Sequence, residues 1–122
     1  MKKYLLLAAF LIAACNSSTE LREGRWSGHL SPMNHPDMTI PVSYNVAYSL
    51  NKLDITIIGS NGAPVKARNP HIKEDTLYFA FNEPEEQVLL ECALARQNSS
   101  EFSGKCVDSS GKWAQFTMAA PE

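Results

Sequence analysis

The chain is poor in the features that usually announce chemistry. It has three cysteines and three histidines among 122 residues, and its lysines and arginines are not clustered. Without a basic patch, a nucleic-acid partner is not expected. No serine sits in a Gly-x-Ser-x-Gly elbow, and no Gly-rich phosphate loop or metalloprotease motif occurs. No convincing helical periodicity or internal repeat is present. The N-terminal apolar run, Tyr4 to Ala14, is too short to cross a bilayer, which needs roughly 20 residues.

That short run is nonetheless informative. Lys2 and Lys3 precede it, as in a secretory signal, and small residues close it before Cys15. Ile12-Ala13-Ala14-Cys15 resembles the lipobox of bacterial lipoprotein precursors. The resemblance implies cleavage after Ala14, so that 1–14 is the signal peptide. Cys15 then carries a diacylglycerol and an N-acyl chain such as palmitate. It also implies a cell-envelope location, lipid-anchored in the bilayer. Asn16 takes the place of the aspartate that retains enteric-type lipoproteins in the inner membrane. The outer membrane, facing the periplasm or the surface, is therefore expected. In an organism without one, the anchor would be the outer leaflet of the plasma membrane.

Removing residues 1–14 leaves 108 residues, one domain. The loss of Lys2 and Lys3 leaves 9 basic against 13 acidic side chains, about −4. Residues 15–23 read as the lipidated cysteine and a polar tether, and residues 24–120 as a single β domain. Cys92 and Cys106 remain as an even pair in an exported protein, which predicts one disulfide.

From Gly24 onward apolar residues alternate and turn signals recur about every ten residues. Strands are predicted over 24–31, 40–48, 53–58, 63–68, 76–81, 87–95, 100–107 and 112–119. The segment 69–75, polar and holding Pro70, reads as a connection. Asn61-Gly62 predicts a type I′ hairpin turn, in which both central residues take positive φ. A hairpin centred on Ser99 sets Cys92 opposite Cys106, close enough for a disulfide. The expected fold is all-β, a small antiparallel meander barrel of about seven or eight short strands, with a β-sandwich as the alternative. Predicted inward residues run from Trp26 and Leu30 through Val42, Tyr44, Val46, Tyr48, Leu53, Ile55 and Ile57. They continue with Leu77, Phe79, Phe81, Val88, Leu90, Cys92, Leu94, Phe102, Cys106, Phe116 and Met118. Side chains of this bulk would largely fill a small barrel, which argues against a generous internal cavity and leaves open only a small cleft or a groove at one mouth.

Gly24-Arg25-Trp26 resembles the Gly-x-Trp signature of calycins, the lipocalin and avidin-like barrels. The resemblance implies a small apolar ligand taken at a barrel mouth, placed near Trp26. The other expected role is non-enzymatic recognition of an envelope protein, with outward Tyr78 and Trp113 as anchors if the fold brings them together. A third is periplasmic metal handling by Met33, His35 and Met38, thioethers and an imidazole that suit copper. A surface loop fixed by its prolines, with the methionines packed over a barrel end, accounts for them better, and no metal is favoured. His29 is expected to face solvent, and His71 has no identifiable partner. Glu83, Glu85 and Glu86 read as a solvated turn and Glu91 as outward. With both mature cysteines committed to each other, no catalytic residue and no cofactor is expected.

Overall fold

The computed structural model describes residues 21–84 and 87–121. The signal segment and the lipidation expected at Cys15 lie outside the described residues. Among the described residues nine strands form: β1 (Gly24–Pro32), β2 (Ile40–Ser49), β3 (Lys52–Ile58), β4 (Pro64–Lys66), β5 (Arg68–Lys73), β6 (Thr76–Glu83), β7 (Val88–Asn98), β8 (Glu101–Val107) and β9 (Trp113–Ala119). They make one antiparallel sheet in the order β4-β3-β2-β1-β9-β8-β7-β6-β5. Pairing of β1 with β9 joins the first and last described strands, with Leu30 opposite Phe116. The remaining seam runs between β4 and β5, neighbours in sequence. Ala67 links the two strands in sequence, and its backbone N–H extends the β3–β4 ladder by donating to the Ile55 carbonyl at 2.9 Å. The molecule is a nearly closed β-barrel, as the alternation predicts, and not a sandwich.

The ninth strand is the segment read as a connection. Pro70 cannot donate to a ladder, yet β5 is the sheet's last strand and has a free edge to spend on it. The register shifts between Arg68 and His71, and Asn69 takes a φ of 50°. This irregularity lets β5 pair with β6 on either side of the proline.

The turns also differ from expectation. At Asn61-Gly62 the Gly62 N–H donates to the Gly59 carbonyl at 3.0 Å, and only Gly62 has positive φ. This is a turn over Gly59–Gly62 ending in a left-handed glycine, not a type I′ turn. The pairs with both φ values positive are Leu50-Asn51 (52° and 67°) and Glu74-Asp75 (53° and 65°). Each closes a two-residue hairpin, between Ser49 and Lys52 and between Lys73 and Thr76. Asn51 and Asp75 suit that conformation, but leucine and glutamate at the first positions carry no propensity for it, so local sequence signals only half of each turn.

The core follows the alternation. Trp26, Val42, Tyr44, Val46, Ile55, Ile57, Leu77, Phe79, Phe81, Leu94, Phe102, Phe116 and Met118 are buried, along with Cys92 and Cys106. The disulfide is formed between directly paired residues, with Cα atoms 4.0 Å apart. Leu30, Leu53 and Leu90 are half-buried against the cluster. Tyr48 departs from the inward list, being partly exposed. Leu21 and Ala67 join the core without having been expected there.

Tyr44 ties three strands together from inside. Its hydroxyl reaches from β2 past Gly28 on β1 and donates to the Thr117 carbonyl on β9 at 3.0 Å. Gly28 leaves the passage open, because a Cβ there would run into the Thr117 carbonyl oxygen. Tyr44→Phe is expected to cost about 1–2 kcal/mol, since the Thr117 carbonyl loses a buried partner. Burial also pushes the Tyr44 phenol well above its ordinary 10.0. The fold thus favours the protonated form. The contribution is fully present below pH ~10 and falls above it, by up to ~1.4 kcal/mol per pH unit. Denaturant titrations at pH 8 to 11 should show wild type losing stability faster than Tyr44→Phe at the alkaline end.

Candidate functional site

The barrel's two ends are built differently. At one end the chain itself forms the plug. Leu21 is 3 % exposed. Its N–H donates to the Tyr48 hydroxyl at 2.9 Å, and that hydroxyl donates to the Leu21 carbonyl at 3.0 Å. The Glu23 carboxylate accepts from the Tyr48 N–H, and Arg22 donates to the Pro121 carbonyl at 2.7 Å. The Trp26 indole N–H donates to the Arg22 carbonyl at 2.8 Å, and its ring lies 6.0 Å from Phe102. The Arg96 guanidinium covers Phe102 at 4.8 Å while its Nε meets Asp75 at 3.2 Å. Residues 21–23, expected in the tether, are therefore part of the barrel. The mouth near Trp26 is shut, which corrects the placement of a ligand there: Trp26 is a sealing core aromatic.

The opposite end is open. A cavity of about 390 Å³ enters the barrel there, a volume within the range of small-molecule sites. Leu30, Val42, Ile57, Phe81, Leu90 and Phe116 form its walls, and Ile40, Val65, Val88 and Ala114 stand nearer the entrance. Ser60, Asn61, Glu83, Asp108 and Lys112 give the rim its polar groups. The walls are residues at the ends of their strands, where inward side chains face no layer beyond them. That is why Leu30, Val88 and Leu90 remain half-buried. Alternation identifies such residues as inward but cannot tell a filled layer from an unfilled one.

Asp108 organises one side of the rim. Its carboxylate accepts from the Ser110 hydroxyl at 2.7 Å and from the N–H groups of Ser110 and Lys112 at 2.9 and 3.0 Å. These bonds, the Ser110 hydroxyl first, hold the carboxyl below the usual carboxylate range. Asp108 stays ionised in order to fix the turn between β8 and β9, which places Lys112 at the entrance.

The other sequence candidates fall elsewhere. Tyr78 projects from β6 and Trp113 from β9, with β7 and β8 between them, so they form no common patch. Trp113 belongs to the mouth, and its ring packs against the Lys105 ammonium at 4.3 Å. Tyr78 stacks on His71 at 5.3 Å, and the His71 Nδ1 lies 2.9 Å from the Asn69 carbonyl. His71, without a partner in the sequence reading, acquires both through the strand the proline concealed. Its neighbours Arg68 and Glu91 stand with it around a shallow hollow. Met33, His35 and Met38 stand exposed on the β1–β2 loop, where the His35 N–H donates to the Pro32 carbonyl and the Met38 N–H to the His35 carbonyl, each at 3.0 Å. Among the described residues, no group of three or more His, Cys, Asp or Glu side chains is placed to hold a metal ion. His29 is exposed, and its backbone N–H donates to the Thr117 hydroxyl at 3.0 Å.

No protein-family model and no curated protein matches the sequence. Solved structures do match the fold. A redesigned β-barrel superposes with a TM-score of 0.65 at 18 % identity, covering 82 % of this chain and 91 % of its own. Another redesigned barrel, mFAP1, bound to DFHBI, gives 0.62 at 20 % identity, covering 80 % and 93 %. A de novo designed fluorescence-activating barrel gives 0.57 at 10 % identity, covering 82 % and 94 %. This chain is similar to them in fold.

Proposed function

We propose that the protein is an envelope lipoprotein, anchored through acylated Cys15, whose barrel takes up a small apolar ligand at the open mouth. The observation that carries the binding reading is the cavity of about 390 Å³, apolar in its depth and polar at its rim. A site of that pattern favours a molecule with an apolar body and a small polar end. The designed barrel mFAP1 holds DFHBI, an analogy at the level of fold. The anchor reading is supported by the lipobox sequence Ile12-Ala13-Ala14-Cys15 and by the Cys92–Cys106 disulfide, which suits an oxidising compartment. The same reading is non-enzymatic: the Asp108 carboxylate at the rim is committed to its turn, where it takes up the Ser110 hydroxyl.

Filling the cavity from the protein's own side tests the binding reading. Ala114 sits on β9 at the entrance and points inward, opposite Cys106. Ala114→Trp should occupy the site while leaving the core layer beneath it in place. The uncharged dye N-phenyl-1-naphthylamine should bind wild type saturably, with rising fluorescence. The variant should bind it at least about tenfold more weakly, a loss of about 1.4 kcal/mol. Equal dye binding by a folded Ala114→Trp variant would contradict the assignment.

A further inference from the structure

The hairpin between β2 and β3 ends in a side chain that nothing in the fold requires. Leu50 is 93 % exposed and takes a φ of 52°. A leucine in left-handed backbone is disfavoured, and asparagine or glycine would fit this turn without that strain. The position therefore combines an unfavourable backbone with an apolar group left in water.

Its place in the fold suggests what it meets. Three hairpin turns lie at the plugged end of the barrel. Two are polar, Glu74-Asp75 and Asn98–Ser100. The third carries Leu50, and it is the one bonded to the incoming chain: Leu21 is held by the Tyr48 hydroxyl through both its N–H and its carbonyl. Leu21 is six residues beyond Cys15, so the intervening chain spans at most about 20 Å. A lipid-anchored Cys15 thus keeps this end, and this hairpin, close to the bilayer surface.

We infer that the Leu50 hairpin tip docks into the bilayer surface beside the acyl anchor, so that the barrel stands plugged end down with its ligand mouth turned away from the membrane. The inference rests on the anchor reading. Tyr48, half exposed with its hydroxyl engaged, sets the apolar tip on a rigid base. The mouth then samples the aqueous compartment, and its ligand arrives from there instead of sideways from the anchoring leaflet.

The test uses full-length acylated protein in phosphatidylethanolamine–phosphatidylglycerol vesicles carrying nitroxide-labelled lipid. A polarity-sensitive fluorophore is placed on Ser49→Cys, next to the tip, or on Ser109→Cys, in the turn at the mouth. Quenching at position 49 should be several times that at 109. Adding Leu50→Asn should reduce the quenching at 49 without lowering the thermal midpoint, since asparagine accepts the turn. Equal quenching at both positions, stronger quenching at 109, or no effect of Leu50→Asn would overturn the inference. Mass measurement of the N-terminal peptide separates the two readings. Acylated Cys15 with an unquenched position 49 removes the docking alone, whereas Cys15 without acyl chains removes the anchor and the docking together.

Discussion

Gly104→Ala is expected to leave the protein without a cooperative unfolding transition, or with one weakened by more than about 4 kcal/mol. Gly104 lies on β8 between Leu94 of β7 and Phe116 of β9. A Cβ at that position would run into the Ala93 carbonyl oxygen and come within 2.8 Å of the Leu94 Cα. Both obstacles are backbone, so no rotamer change relieves them. The β7–β8 ladder would be forced open close to the disulfide that joins the same two strands. A domain of this size has roughly 5–15 kcal/mol of stability in total. The control is Gly111→Ala, in the turn between β8 and β9. Gly111 has a φ of 94° and nothing near its missing Cβ. That change should cost only about 1 kcal/mol, the penalty of a side chain in left-handed backbone. Chemical denaturation of the two variants against wild type checks the contrast. Similar losses for both would mean that close strand approach is not what Gly104 serves.

Breaking the Cys92–Cys106 bridge should produce the other large effect. The two residues are 14 apart in sequence, and the chain-entropy model gives about 3 kcal/mol for a ring of that size. Both thiols would remain as buried apolar groups, so reduction removes the constraint with little change in packing. For a domain near 100 residues this corresponds to a fall of roughly 12–24 °C in thermal midpoint. Differential scanning calorimetry with and without reductant, after unfolding and refolding to expose the bridge, measures it. Cys92→Ala with Cys106→Ala should lose more than reduction does, because two buried sulfur atoms also leave the core. A reduced protein as stable as the oxidised one would mean that barrel closure alone supplies the constraint.

Much of the fold was legible because period-two alternation is a direct consequence of pleated backbone against one core. Leu77, Phe79 and Phe81 could be placed inward from spacing alone, and the register of Cys92 with Cys106 followed from a hairpin centred on Ser99. The misses share one physical cause: long-range contacts overrode local preference. Pro70 argued against a strand, yet a free sheet edge and a register shift accommodate it. Leu50 and Glu74 adopt positive φ because two-residue hairpins demand it, not because their side chains favour it. Leu21 looked like tether and became a plug through a tyrosine 27 residues away.

The functional site was legible in its residues but not in its position. Leu30, Val42, Ile57, Phe81, Leu90 and Phe116 were all expected to face inward, and they line the mouth. Which end stayed open depended on Leu21–Glu23 folding over Trp26 and on Arg96 covering Phe102, neither visible in any short pattern. The Gly-x-Trp resemblance drew attention to the end that is sealed.

The most direct measurement is a methyl NMR titration with a small apolar ligand, comparing the two ends of one barrel. The account predicts saturable shifts of Leu30, Val42, Ile57, Val65, Val88 and Leu90 methyl groups at the mouth, with those of Leu21, Leu77, Leu94 and Met118 unmoved. Shifts confined to the plugged end, or uniform shifts that never saturate, would contradict it.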